Sequence, residues 1–135
     1  MLTLNWNGKM KFTAHTESNH EVVMDAYTDV GGEDSAARPM EVLLAALAGC
    51  TAMDVISILE KMKTTPRDFK IEISYTKAKE HPKVYTDIHL KYIFYGNVPK
   101  ENAEKAVNLS QTKYCSVSAM LRKAANITYE LVFES

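Results

Sequence analysis

The stretch RPMEVLLAALAGCTAMDV, residues 38–55, decides the fold of this chain. Pro39 suits the first turn of a helix, where its missing N–H costs nothing. Between residues 40 and 63 there is no further proline, and Gly49 is the only glycine. The stretch therefore predicts one long helix. Residues 42–48 are apolar on every side, whereas the second half of the helix has an apolar stripe opposite a charged face, so we expect burial first and amphipathic packing afterwards.

On the N-terminal side of this helix, apolar and polar residues alternate from residue 2 to residue 27. A period of two predicts strands. Asn7-Gly8 and residues 18–20 supply the turns between them, so we expect a three-stranded antiparallel meander with one buried face. Residues 28–37 are polar and predict a loop.

On the C-terminal side, residues 69–75 and 84–95 alternate in the same way and predict a β-hairpin. Residues 99–109 and about 116–125 predict two shorter helices, and residues 127–133 predict a closing strand. The order βββ, long α, ββ, αα, β is typical of an α+β fold. One protomer of this size cannot easily cover a helix that is apolar all round, so we also expect a homodimer.

Composition limits the possible functions. The chain has 135 residues, 46% of them hydrophobic, and no linker-like break, so we expect a single domain over residues 1–135. The net charge of -1 gives no electrostatic reason to expect nucleic acid or an anionic membrane surface. The N-terminus lacks a signal-peptide pattern, and the longest apolar run, residues 42–50, is too short to cross a bilayer. We therefore expect a cytoplasmic protein that binds no membrane, metal or cofactor.

Cys50 and Cys115 are the only cysteines. In a reducing compartment such a pair indicates free thiols or a catalytic redox pair. Cys115 directly precedes the helix predicted from Ser116 and lies near Lys113, so we expect a lowered pKa for this thiol. Cys50 follows an apolar run inside the long helix, where burial would raise its pKa unless a cation lies nearby.

Residues 38–55 and the stretch KYCSVSAML, residues 113–121, resemble the two cysteine motifs of the OsmC/Ohr superfamily, and within it the YhfA-like branch. The motifs stand in the family's order, with the expected strands and helices between them, so the resemblance covers nearly the whole chain. It implies the OsmC-like fold and an intertwined homodimer in which the two long helices pack centrally. The cysteines would then lie near the dimer interface.

The resemblance also implies an activity, because the characterised members reduce organic hydroperoxides. Cys50 would be the peroxidatic cysteine that attacks the peroxide and becomes a sulfenic acid, and Cys115 would resolve it as a disulfide. The substrate would be a small organic hydroperoxide. A lipoylated or other dithiol protein would return the disulfide to thiols.

The activating residues depart from the family's pattern. In Ohr-type members an arginine activates the first cysteine and is held by a glutamate directly after the motif's proline, where this chain has Met40. Glu41 follows one place later, and nine helical steps of about 100° put it opposite Cys50. Arg38 is the candidate activator.

Asp54 lies four residues after Cys50, on the same helical face, and Ser57 continues that face. A carboxylate there opposes thiolate formation unless an arginine pairs with it or it acts as a proton acceptor. Arg38, Arg67 and Arg122 are the candidate partners of this polar stripe.

A second hypothesis comes from another class of protein. The shifted Glu41 and the added Asp54 favour a dimeric binding or stress-response protein without catalysis, holding a small apolar ligand at the dimer interface. In both hypotheses the tyrosines of the predicted strands, Tyr92 among them, are interpreted as ordinary strand residues.

Overall fold

In the computed structural model, which describes residues 1–135, the chain forms six strands and three α-helices in the predicted order, so the α+β class is confirmed. Contacts divide it into two compact units, Met1–Ala45 and Ala46–Ser135. The elements are β1 (Thr3–Trp6), β2 (Phe12–His15), β3 (Glu21–Met24), α1 (Pro39–Lys61), β4 (Asp68–Lys77), β5 (Tyr85–Tyr95), α2 (Lys100–Leu109), α3 (Ser116–Leu121) and β6 (Asn126–Glu134), with a 3₁₀ turn at Thr28–Val30 and a π-helical turn at Ser110–Tyr114.

The N-terminal unit contains the predicted meander. Strands β1, β2 and β3 pair in that order and are antiparallel. The predicted turns carry left-handed backbone at Gly8 and at Asn19, residue types that tolerate a positive φ. Burial within this sheet is limited to Thr13 and Ala14 of β2, and β1 is exposed along its whole length. A single layer of short strands buries little, because a sheet face needs a second layer against it.

Helix α1 begins at Pro39, as predicted, and its first turn is capped. The Arg38 N–H donates to Glu41 Oε1 at 2.9 Å, the arrangement in which a third-position glutamate satisfies the residue before the helix. The helix ends at Lys61, two residues before the predicted end, and Lys63 then adopts left-handed backbone. Its buried residues are spaced four apart and form one stripe: Leu47, Thr51, Val55 and Leu59.

The rest of α1 is poorly covered by its own chain. An 18-residue window of this helix has a mean hydropathy of 2.2, with 22% of the window buried, so its length and composition alone would suffice to cross a membrane. The sequence-based estimate counted only the uninterrupted run over residues 42–50 and missed this. The prediction of an all-round buried first half also fails within one chain, since Ala45 and Ala46 are exposed.

The C-terminal unit contains the second sheet, in the order β4-β5-β6. The predicted hairpin of β4 and β5 is confirmed as an antiparallel pair, but β6 runs parallel to β5. Parallel neighbours need a long crossover, and here α2, the π-helical turn and α3 form it. Helix α3 ends at Leu121 rather than near residue 125, because the chain must turn there to enter β6 at Asn126.

We expect Leu90→Ala to reduce the free energy of unfolding by about 2–5 kcal/mol, because this β5 side chain is fully buried and its loss leaves a cavity. Leu2→Ala is the matched control, since Leu2 is 59% exposed, and it should change stability by less than about 0.5 kcal/mol. Urea unfolding followed by circular dichroism measures both. Equal losses in the two variants would contradict this account of the core.

Candidate functional site

The two cysteines lie together in the C-terminal unit. Both are free, and Cys50 lies close enough to Cys115 to raise the pKa of the Cys115 thiol. Helix α1 carries Cys50, which is half-buried, and Cys115 occupies the position directly before α3 with only 3% of its surface exposed. The Cys115 sulfur accepts the Ser118 N–H at 3.3 Å. The fold therefore places two reduced sulfurs side by side, one of them more accessible than the other.

Burial raises the pKa of the Cys115 thiol to about 11. The Ser118 N–H lowers this pKa, while the hydrogen bond with Cys50 and the charge of Asp54 raise it further. The predicted lowering is therefore wrong. The stabilising N–H of the helix start is present, but desolvation of a thiolate outweighs it, and Lys113 instead lies over the Tyr114 ring at 5.2 Å.

A buried chain of hydroxyl groups runs beside the cysteine pair. The Thr51 hydroxyl lies 2.7 Å from the Tyr92 hydroxyl and 2.7 Å from the Ser110 hydroxyl. At one end, the Gln111 amide N–H donates to Tyr92 at 2.8 Å; at the other, Ser110 donates to an Asp54 carboxylate oxygen at 2.9 Å.

The two ends of this chain fix the direction of every bond in it. A hydroxyl has one proton, and Ser110 uses its proton on the Asp54 carboxylate, so Thr51 must donate to Ser110 and Tyr92 must donate to Thr51. Aligned hydrogen bonds in a buried environment strengthen one another. All the donors in the chain therefore point towards Asp54.

Gln111 joins this chain of hydroxyl groups to Arg122. The Gln111 side-chain oxygen accepts from the Ser118 hydroxyl at 2.7 Å and from the Arg122 guanidinium at 3.1 Å, and Arg122 also donates to the Gln111 backbone carbonyl at 2.7 Å and to Ser118 at 3.0 Å. Gln111 thus uses its amide as donor towards Tyr92 and as acceptor towards α3. Arg122 was one of the predicted partners of the polar stripe, and it donates its hydrogen bonds to Gln111 and Ser118 instead.

The π-helical turn explains how two neighbouring polar residues enter the same buried cluster. The Cys115 N–H donates to the Ser110 carbonyl at 2.8 Å and so closes a five-residue turn. This wider turn buries Ser110 and Gln111 together and leaves Thr112 to Tyr114 exposed. The same bond sets the backbone position of Cys115.

Asp54 and Ser57 also line an open cavity of about 400 Å³, together with Ile58, Lys61, Met62, Leu109 and Tyr114. Its walls are mainly apolar, with the carboxylate and the Lys61 ammonium as charged groups. The predicted polar stripe thus has a cavity beside it. Arg67, another candidate partner of the stripe, donates to the backbone carbonyl of Ser135.

Arg38 and Glu41 belong to the N-terminal unit. The Arg38 guanidinium pairs with Asp34, donates to the Ala36 carbonyl at 2.6 Å and lies over the Tyr27 ring at 3.6 Å. Glu41 is occupied in the helix cap described above. Through these contacts both residues stabilise the loop before α1. Their role in activating Cys50 stays a prediction.

Sequence reasoning missed five residues of this cluster: Thr51, Tyr92, Ser110, Gln111 and Ser118. One signal was available. A tyrosine at the centre of a buried strand needs a hydrogen-bond partner, which a phenylalanine would not, and Thr51 stands polar within the buried stripe of α1. The π-helical turn has no comparable sequence pattern.

Residues 32–130 match the family model described as OsmC-like protein. Over 132 residues the chain is 39% identical to Protein YhfA of Escherichia coli K12, covering 96% of each protein. A crystal structure of a hypothetical protein from Aquifex aeolicus is 32% identical with a TM-score of 0.83, covering 100% of this chain and 97% of the other. The organic hydroperoxide resistance protein OsmC of Legionella pneumophila shares the fold at 14% identity and a TM-score of 0.71, over 98% and 95% of the two chains.

We expect the raised pKa of Cys115 to make the protein less stable in alkali. The folded thiol holds its proton more tightly than an unfolded one, whose pKa is near 9, so its contribution is complete below pH 9 and is lost between about pH 9 and about pH 11. Urea unfolding across this range should show a steeper loss for the native protein than for Cys115→Ser. Burial also raises the pKa of Tyr92, but both proteins share that effect. Parallel losses would contradict the expectation.

Proposed function

Because this chain belongs to the OsmC-like protein family, we propose that it is a thiol-dependent peroxidase that reduces organic hydroperoxides. The observation that carries the proposal is the presence of two free cysteines, Cys50 and Cys115, in the same unit and close enough for Cys50 to raise the pKa of Cys115. The resistance to organic hydroperoxides for which the Legionella pneumophila protein is named adds support. Free thiols also suit the reducing cytoplasm, where we place the protein.

The different exposures of the two cysteines support different roles for them. Cys50 is the more accessible and meets the peroxide first, whereas Cys115 is buried and keeps its proton at neutral pH. Cys50 loses its thiol proton and its thiolate attacks the terminal peroxide oxygen, which breaks the O–O bond and leaves a Cys50 sulfenic acid. The departing alkoxide takes up the proton that Cys50 lost and leaves as the alcohol. Cys115 then attacks the Cys50 sulfenic acid, giving a disulfide and water. A dithiol protein, such as a lipoylated one, reduces the disulfide.

The cavity beside Asp54 supports an organic rather than an inorganic peroxide. Its apolar walls, which include Ile58, Met62 and Leu109, favour a substrate with hydrocarbon surface. Hydrogen peroxide gains nothing from such walls.

We expect the reduced protein to lose two thiols per chain when it is mixed with cumene hydroperoxide, and to do so faster than with hydrogen peroxide at the same concentration. Cys50→Ser should abolish the reaction. Cys115→Ser should lose one thiol and accumulate a sulfenic acid that dimedone traps. Thiol counting and intact mass follow all three proteins. Thiols that persist in excess peroxide would overturn the proposal and favour the non-catalytic binding protein.

We further infer that the chain functions as a homodimer. Helix α1 leaves most of its apolar surface uncovered by its own chain, and Met53 on this helix is 75% exposed in an apolar groove with Ala52 and Ile56. A second copy of the chain would bury this surface.

We expect Met53→Glu to convert the protein to a monomer, because the charge would have to be buried without a partner. Met120→Glu is the matched control, since Met120 is also 75% exposed but lies on α3, and it should leave the mass unchanged. Sedimentation equilibrium measures both. A native protein that sediments as a monomer would refute the dimer.

A further inference from the structure

The disulfide-forming step needs a proton acceptor. This inference rests on the proposed peroxidase function, in which the Cys115 sulfur attacks a sulfenic acid at Cys50. A thiolate is the attacking species, yet the Cys115 thiol is buried and protonated at neutral pH. Its proton must leave as the sulfur–sulfur bond forms.

Asp54 is placed to receive that proton. It lies one helical turn after Cys50 on the same face of α1, so its carboxylate and the Cys50 sulfur point in the same direction. Ser110 holds this carboxylate through its hydroxyl and holds Cys115 through its backbone carbonyl. One residue therefore fixes the base and the thiol relative to each other.

The aligned hydroxyl chain holds the Asp54 carboxylate in a fixed position for this task. Gln111, Tyr92, Thr51 and Ser110 donate in sequence towards the carboxylate, so the acceptor at the end of the chain receives a hydrogen bond strengthened by those behind it. The second carboxylate oxygen accepts no hydrogen bond from the rest of the chain, and the residue also lines the open cavity. A base needs such a free lone pair and access to the reacting groups.

We propose that Asp54 is the general base of the disulfide-forming step and that Ser110 is the positioning residue that aims it at Cys115. Asp54 takes the Cys115 proton while the Cys115 sulfur attacks the Cys50 sulfur. The sulfur–oxygen bond of the sulfenic acid breaks and its electron pair leaves as hydroxide. The hydroxide recovers the proton from Asp54, so the products are one disulfide and one water, and the carboxylate is restored.

The titratable and charged groups around this step come from four elements. Cys50 and Lys61 accompany Asp54 on α1, Tyr92 faces the cluster from β5, Tyr114 lines the cavity from the π-helical turn, and Arg122, just after α3, binds Gln111 and Ser118. The Asp54 charge acts on the Cys115 thiol. The carboxylate of Asp54 is thus the basic group at the reacting sulfurs.

The test separates the two chemical steps in the full-length reduced protein. One equivalent of cumene hydroperoxide is added, dimedone trapping reports the Cys50 sulfenic acid, and intact mass reports the disulfide. In Asp54→Asn the Cys50 sulfenic acid should still form, but the disulfide should form about 100-fold more slowly than in the native protein. Asp54→Glu should form the disulfide faster than Asp54→Asn, and Ser110→Ala should form it about tenfold more slowly than the native protein. Glu60 is an exposed carboxylate on the same helix, so Glu60→Gln should form the disulfide at the native rate.

The pH profile distinguishes a base from a structural residue. In the native protein the disulfide-forming rate should be flat from about pH 7 to 9, whereas in Asp54→Asn it should rise about tenfold per pH unit, because only the small thiolate fraction of Cys115 then reacts. Disulfide formation in Asp54→Asn at the native rate, or a slower rate with the native pH profile, would overturn the assignment and leave the peroxidase intact. Absence of both the sulfenic acid and the disulfide in every protein would overturn both.

Discussion

The Thr51 hydroxyl is the contact on which the rest of the site depends. It joins helix α1 to strand β5 through Tyr92 and to the crossover through Ser110. These three elements come from distant parts of the sequence, and each brings one component of the cysteine pair or its surroundings. A buried hydroxyl without partners would cost free energy, so the cluster is stable only when all its members meet. The requirement for hydrogen bonding thus specifies one arrangement of the site.

The same cluster explains why the two cysteines differ. Apolar burial keeps Cys115 protonated, although a helix start usually favours a thiolate. Cys50 is half-buried and lies one helical turn before Asp54, which lines the open cavity. Two neighbouring thiols that differ in solvent access suit a sequence of two reactions better than a single one. A pair of equivalent buried thiols would have no such order.

Sequence reasoning predicted most of the fold and only the centre of the site. The strands and α1 follow from short-range periodicity, and the two motifs identified Cys50 and Cys115. The parallel pairing of β6 was not predictable, because strand direction depends on the path of the crossover rather than on alternation. The predicted direction of the Cys115 pKa shift was wrong, because helix position is visible in a sequence, whereas desolvation depends on tertiary packing. Ser110 and Gln111 were missed because a π-helical turn changes which neighbours share a face.

The parallel arrangement of β5 and β6 has a consequence for how the protein is made. The segment that carries Ser110, Gln111 and Cys115 is the crossover between these two strands, so Cys115 can join Cys50 only after β4 and β5 have been synthesised. Contacts between residues far apart in sequence form late, because loop closure precedes them. On the ribosome, Cys50 therefore emerges long before its partner sulfur can be held against it. The nascent chain thus carries an unpaired Cys50 thiol until the crossover has left the exit tunnel.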